Sequence, residues 1–227
     1  MIMRPLKVTA VMQDGRVVGN DPWFPLDSIL AAAWVKKYHP DCFYAGTPDP
    51  TSPGWIDADL PLERRGNDRL WYYACSFNTV RPSWEYITHW HKRFDEQFER
   101  YVNFGGRRGK IDVKAARFKA FRMPMTVLLF PRLEWYAVGD MDAVFDLCRS
   151  ITHIGKKSSQ GFGAVDSWKV EIWPEDWSEA YHGRLTRAVP VDFGLPDTVE
   201  SAYLALHGYR PPYWWSGCQA VCFMPEV

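Results

Sequence analysis

Between residues 155 and 163 the chain reads Gly155-Lys156-Lys157-Ser158-Ser159-Gln160-Gly161-Phe162-Gly163, with three glycines interleaved among two lysines, two hydroxyls and an amide. Glycine lets backbone approach a ligand closely, and exposed N–H groups beside ammonium groups favour an anion. The stretch is therefore a candidate phosphate cradle. It is not a Walker loop: with Gly155-Lys156 as its Gly-Lys, that motif needs glycine at 150 and Ser or Thr at 157, where this chain has Ser150 and Lys157. The dinucleotide fingerprint fails too, because Asp166 stands where the third glycine belongs after Gly161 and Gly163. A plain surface turn between helix and strand is the competing reading.

A second candidate surface is cationic. Arg107, Arg108, Lys110, Lys114, Arg117, Lys119 and Arg122 stand against Asp112 alone in residues 104–122, with Phe118 and Phe121 among them. Cations interleaved with rings suit a single-stranded nucleic acid, whose phosphates want charge and whose bases want stacking faces. A solvated charged hairpin is the plainer alternative. Residues 171–200 invert the balance, with seven acids against Arg184 and Arg187. The formal net charge of zero argues against a free-standing, strongly basic nucleic-acid binder. It suits a protein with one anionic partner and one non-anionic face.

Cleavage of RNA at a 2′-hydroxyl needs a general base and a donor for the leaving oxygen. His39 (next to Tyr38), His91 and His153 (beside the glycine stretch) are the candidates, each with an ordinary structural or surface role as its alternative. His89 and His91 would point apart on a helix and make a poor metal pair. Cys42, Cys75, Cys148, Cys218 and Cys222 are scattered, with no CxxC pair. Neither a zinc ribbon nor a disulfide frame is supported, and buried free thiols in a reducing compartment are expected. No metal or cofactor is expected. The N-terminus lacks a long apolar run and no apolar stretch approaches 18 residues, so a soluble cytoplasmic protein without membrane contact is expected.

The elements that must position these groups follow from periodicity. Leu6, Val8, Ala10 and Met12 alternate on one face of a first strand. Pro25-Leu26-Asp27 opens a helix to about Tyr38, with its acid in the first turn and its lysines in the last. Residues 41–68 read as an inserted loop with at most a short strand, and 70–77 as a second strand. From Arg81-Pro82, the positions Trp84, Ile87, His91, Phe94, Phe98 and Tyr101 fall at spacings of three and four, which predicts a second helix. Residues 125–130 and 133–138 read as strands, 141–151 as a helix, and 164–173 as a closing strand. The remainder is acidic, with one short helical candidate at 198–206. Its many large rings (Trp177, Tyr181, Tyr213, Trp214, Trp215) predict packing rather than disorder.

With the excursion removed, β-α-β-β-α-β remains. The fold class is α+β, a ferredoxin-like (RRM-like) βαββαβ core with a long inserted arm and a C-terminal extension. Residues 1–174 form that core, with an inserted helix and basic arm at about 81–124, and residues 175–227 form the extension packed on it.

The first strand, the Pro25-Leu26-Asp27-Ser28-Ile29-Leu30-Ala31 helix opening and the loop Ile154–Gly163 together resemble the RAMP superfamily of CRISPR-associated proteins. The closest likeness is to the Cas-five-type branch, the subunits of type IV effector complexes that cap the 5′ handle of the guide RNA. The likeness covers roughly residues 4–40 and 125–173. It implies a non-catalytic, RNA-holding subunit of an antiviral ribonucleoprotein complex. Its partners would be the CRISPR guide RNA, the Cas-seven-type backbone subunit and, further out, the large subunit and target DNA. By the same resemblance Lys156, Lys157, Ser158, Ser159 and Gln160 would contact RNA phosphates or sugars, and the insertion bearing Arg107, Arg108 and Lys110 would be the gripping arm. Another branch implies the alternative, a metal-independent endoribonuclease processing CRISPR repeat RNA. An adaptor that binds another protein through Trp214-Trp215 is a third reading.

Overall fold

In the computed structural model the described residues are 2–19, 21–41, 56–103, 105, 111–114 and 118–226. The alternation at the N-terminus becomes β1 (Arg4–Met12), whose Leu6, Val8, Ala10 and Met12 are buried. A short β2 (Arg16–Val18) follows, then α1 (Leu26–Tyr38), β3 (Arg64–Gly66) and β4 (Trp71–Tyr73). The nine-residue strands β5 (Trp84–Lys92) and β6 (Phe121–Leu129) come next, then β7 (Arg132–Gly139) and α2 (Met141–Cys148). The Asp140 carboxylate caps α2 by accepting from the Ala143 N–H at 3.1 Å. The chain closes with β8 (Val165–Ile172), β9 (Ala180–Tyr181), β10 (Arg184–Leu185), β11 (Val189–Pro190), β12 (Tyr203–Gly208) and β13 (Gln219–Met224).

The result is a mixed α+β chain of small antiparallel sheets, with α1 and α2 the α-helices that lie wholly within the described residues. β1 lies between β7 and β8, antiparallel to both, with Val8 opposite Trp135 and Val170. Beyond β7 the ladder continues through residues 74–76: Cys75 bridges Ala137, and the Val138 N–H donates to the Ala74 carbonyl at 2.9 Å. Leu26 and Leu30 of α1 and Val144, Leu147 and Cys148 of α2 pack into one core with Leu6, Val8, Ala10, Leu133 and Trp135.

A second sheet, ordered β2-β6-β5, extends from the first across the β1–β2 and β6–β7 junctions. Here the structure corrects the helix expected from Arg81. Residues 84–92 are a strand paired with β6 from Trp84–Leu129 to Lys92–Phe121, and only Glu96–Tyr101 turn helically, as a 3-10 segment. The run Trp-Glu-Tyr-Ile-Thr-His-Trp is aromatic and β-branched, which favours a pleated surface once a partner strand is present. The helix expected at 198–206 is corrected likewise: Tyr203–Gly208 is a strand along β13, in the sheet β11-β13-β12.

The tail is tied to the first sheet by a buried ionic network. Arg187 is fully buried; its guanidinium donates to the carbonyls of Tyr73, Cys75 and Tyr209 and lies 4.4 Å over the Tyr72 ring. Asp27, also fully buried, accepts from the Tyr213 hydroxyl at 2.9 and 3.0 Å and from the Ser28 N–H at 2.8 Å. Burial pushes the Asp27 carboxyl up to about 6, against the lowering pull of Arg187 and the Tyr213 hydrogen bond. An acid placed at the first turn of a helix thus serves the core as well as the helix dipole. Trp214 is exposed, and Trp215 is half-buried over Gly217. Cys75, Cys148, Cys218 and Cys222 are buried free thiols, and burial pushes the Cys148 thiol up to about 12. Cys42 lies outside the described residues. Among the described residues no helix is long and apolar enough to cross a membrane.

Candidate nucleic-acid interface

The glycine-rich stretch joins α2 to β8 and is laced to β2. The Lys156 N–H donates to the Val18 carbonyl at 3.0 Å, the Gly163 N–H to the Arg16 carbonyl at 2.7 Å, and the Ile154 N–H to the Gly163 carbonyl at 2.8 Å. That lacing explains two of the glycines. A Cβ at Gly163 would lie 1.8 Å from the Ile154 carbonyl oxygen, and one at Gly155 would lie 2.8 Å from the Val18 oxygen. Gly161 meets nothing within 4 Å, and its role is its φ of 82°. Lys157 itself sits in the left-handed region at φ 65°, capping the 3-10 turn Ser158–Gln160.

The cradle expectation therefore needs a correction. The amides of Lys156 and Gly163 are used in holding the loop to β2. The groups turned to solvent are the side chains at its tip, where Ser158, Ser159 and Gln160 are exposed. An anion here would meet side chains first, and fewer backbone amides than the glycine count suggests.

The loop does not stand alone. Strand residues alternate in facing, and residues opposite each other in an antiparallel pair share a face. Trp84, Tyr86, Thr88, Trp90 and Lys92 of β5 thus share one face of the arm with Met123 and Phe121 of β6. Lys157 reaches over this face, its Nζ 3.4 Å from the Trp90 ring centroid. Trp90 in turn meets Phe121 edge-on at 4.9 Å, and Lys92 Nζ lies 5.7 Å from the Phe121 ring. On the loop's other flank the Arg16 guanidinium lies 5.4 Å from the Phe162 ring while paired with Asp14. Trp84 is 66% exposed and Met123 51%, so the face is open to solvent along part of its length.

Sequence reasoning missed Trp84, Tyr86, Trp90, Arg16 and Phe162 as members of this surface. The signal was present as the strict alternation Trp-x-Tyr-x-Thr-x-Trp-x-Lys from residue 84, which the three-and-four spacing of Trp84, Ile87 and His91 overrode. Of the expected basic arm, Lys114 and Lys119 are exposed beyond the hairpin end. Arg122 lies on the opposite face of β6, its guanidinium 3.2 Å from His89 Nδ1. Arg107, Arg108, Lys110 and Arg117 lie outside the described residues. His89 and His91 are two apart on a strand, not a helix, and so share a face with ring centroids 6.2 Å apart.

His153 is exposed, 3.0 Å from the Thr152 hydroxyl. It lines a 460 Å³ cleft between α1 and the loop together with Lys36, Ser28 and Ser158. His39 closes α1 against Trp34, at 5.1 Å between rings. Among the described residues no group of three or more His, Cys, Asp or Glu could hold a metal ion.

A family model described as CRISPR type IV associated protein Csf3 matches residues 4–225, nearly the whole chain. No curated protein matches it.

Proposed function

The chain belongs to the Csf3 family of type IV CRISPR-associated proteins and is a component of a type IV effector, and from that premise we propose that it holds guide RNA without cutting it. The observation that carries the reading is the meeting of the glycine-rich loop with the aromatic face of the arm, where Lys157 lies over Trp90. Ammonium groups and hydroxyls at the loop tip offer contacts to phosphate and sugar, and the rings of β5 offer stacking faces to splayed bases. Such a surface suits the single-stranded 5′ handle of a guide.

The sheet order 75-β7-β1-β8 with two helices packed into one core supports a ferredoxin-like reading of residues 1–174 and a Cas-five-type, RAMP-superfamily placement. On that reading the β5–β6 hairpin is the arm, which also reaches the Cas-seven-type backbone subunit. The large subunit and target DNA lie beyond it, and the complex works in the cytoplasm in antiviral defence.

The experiment is RNA retention by the complex purified with a Lys156→Ala/Lys157→Ala chain, measured across a salt series. Removing two phosphate contacts should weaken retention and flatten the salt dependence by roughly one to two units of slope. Unchanged retention and slope reject the proposal.

One observation favours a second reading, a metal-independent endoribonuclease acting on CRISPR repeat RNA. His153, Lys36 and Ser158 share one cleft beside the loop, an imidazole and an ammonium where a strand held by the loop would pass.

A further inference from the structure

A 470 Å³ cleft opens between the segment leading into the arm and the β9–β10 hairpin of the tail. None of its lining residues belongs to the loop surface described above. Trp23 forms one wall, half-buried and stacked on Phe77 at 6.0 Å. The opposite rim is the tight turn between β9 and β10, where His182 (φ 46°) and Gly183 (φ 77°) are both left-handed, as a two-residue hairpin turn requires. A histidine held at positive φ is uncommon, and such positions gather at ligand sites. The turn sets the Tyr181 and His182 rings 4.1 Å apart on the cleft rim.

Two guanidiniums complete the lining. Arg81 and Arg184 are exposed and, among the described residues, their guanidiniums have no hydrogen bond or ion pair. By contrast Arg65 is held by Glu63, Asp176 and Glu179, and Arg187 by three carbonyls and its neighbour's oxygen. Glu226 adds one carboxylate at the edge, accepting from the Ser201 hydroxyl at 2.9 Å.

Each part of this lining narrows the ligand. Unpaired guanidiniums match a phosphate, whose oxygens they can grip in forks. Ring walls match a planar base, and a carboxylate matches a sugar hydroxyl or an exocyclic amine. A bare anion would leave the rings unused, and an apolar ligand would strand the guanidiniums. The volume lies in the ordinary range for a small-ligand site. We propose that this cleft holds one nucleotide unit, its base against Trp23 and the Tyr181–His182 rim and its phosphate at Arg81 and Arg184.

The nucleotide can come from two sources: the terminal nucleotide of a bound strand, or a free nucleotide. Only the first rests on the RNA-holding function. Calorimetric titration of the full chain with AMP, with inorganic phosphate and with a ten-nucleotide single-stranded RNA tests the site. Wild type, Arg81→Ala/Arg184→Ala and Lys156→Ala/Lys157→Ala are compared after circular dichroism shows each is folded. Tyr181→Ala, at the exposed rim, serves as a second cleft variant.

Removing the two arginines should weaken AMP or the RNA at least about tenfold, with phosphate alone bound more weakly than AMP. AMP displaced by the oligonucleotide identifies the strand terminus; AMP and oligonucleotide bound together identify a free nucleotide. If neither AMP nor RNA affinity changes in the arginine and Tyr181 variants, the cleft proposal is overturned. RNA loss confined to the lysine variant then leaves the RNA-holding function standing. RNA binding unaffected by the lysines, with AMP binding lost with the arginines, does the reverse.

Discussion

The Lys157 ammonium stands 3.4 Å above the ring centroid of Trp90, a loop residue and an arm residue 67 positions apart in the chain. At that distance a cation on a ring face contributes about 0.5–2 kcal/mol, depending on how dry the contact is. The pair joins two segments that read as separate sites in the sequence into one surface. A strand that stacks on the arm lies next to the charges of the loop.

Replacing Trp90 with alanine should therefore lower single-stranded RNA affinity roughly 5- to 150-fold, the ~1–3 kcal/mol of one lost stacking partner. Trp90→Phe should restore most of it. No charge is removed, so the salt slope should stay unchanged in filter binding. Wild-type affinity in Trp90→Ala removes the arm face from the interface.

Gly163 and Gly161 both have positive φ, but they differ in surroundings. Ala at 161 meets open space and should cost about 1 kcal/mol in urea unfolding, the strain of the left-handed region alone. Ala at 163 drives its methyl into the Ile154 carbonyl oxygen, so the loop must leave β2. It should cost more than about 3 kcal/mol. Equal costs would show that the lacing to β2 is not what requires glycine.

Asp27 sets a pH dependence. Its carboxyl is raised to about 6 in the folded chain, chiefly by burial, from 3.8 unfolded. The folded state then binds the proton more tightly. The stabilising contribution is complete below pH 4 and is lost as pH rises through about 6. Thermal midpoints should fall across that window in wild type and flatten in Asp27→Asn, which keeps the shape and an acceptor for Tyr213. An unchanged slope in the asparagine variant would place the titrating group elsewhere.

Arg187→Met removes the only cation contacting the carbonyls of Tyr73, Cys75 and Tyr209 among the described residues and leaves Asp27 without its positive neighbour. The expected cost is about 3–5 kcal/mol, as for other buried ion networks broken from one side. Arg184→Lys, at the exposed rim, should change stability by less than about 0.5 kcal/mol. Chemical denaturation of both variants reads the difference.

Incubating the purified chain with hairpin repeat RNA in EDTA decides between holding and cutting. The expected result is intact RNA. Specific cleavage that disappears in His153→Ala would establish the nuclease reading and overturn the holding one.

Some of this was legible before any fold. The alternation at Leu6, Val8, Ala10 and Met12, the helix from Leu26 and the apolar side of residues 141–148 each follow from local period and punctuation. The left-handed glycines of the loop are equally local, because a tight connection between helix and strand asks for φ values that side chains resist. The likeness of roughly residues 4–40 and 125–173 to CRISPR-associated proteins rested on these segments, and the match to the type IV family model spans residues 4–225.

Other features depended on partners distant in the chain. Residues 84–92 carry both a helical and a strand pattern, and the choice was made by β6, which lies some thirty residues on and is joined to β5 along the full ladder. That choice turned His89 and His91 to one face and brought Trp90 under Lys157. Arg187 looked like one of two bases in an acidic tail, and only the packing of the tail against residues 73–75, with Tyr213 closing over Asp27, buried it near that carboxylate. Periodicity and turn chemistry are properties of neighbouring residues, so the sequence alone determined them. Strand pairing and the burial of charge are free-energy balances struck across the whole chain, and only the tertiary structure could decide them.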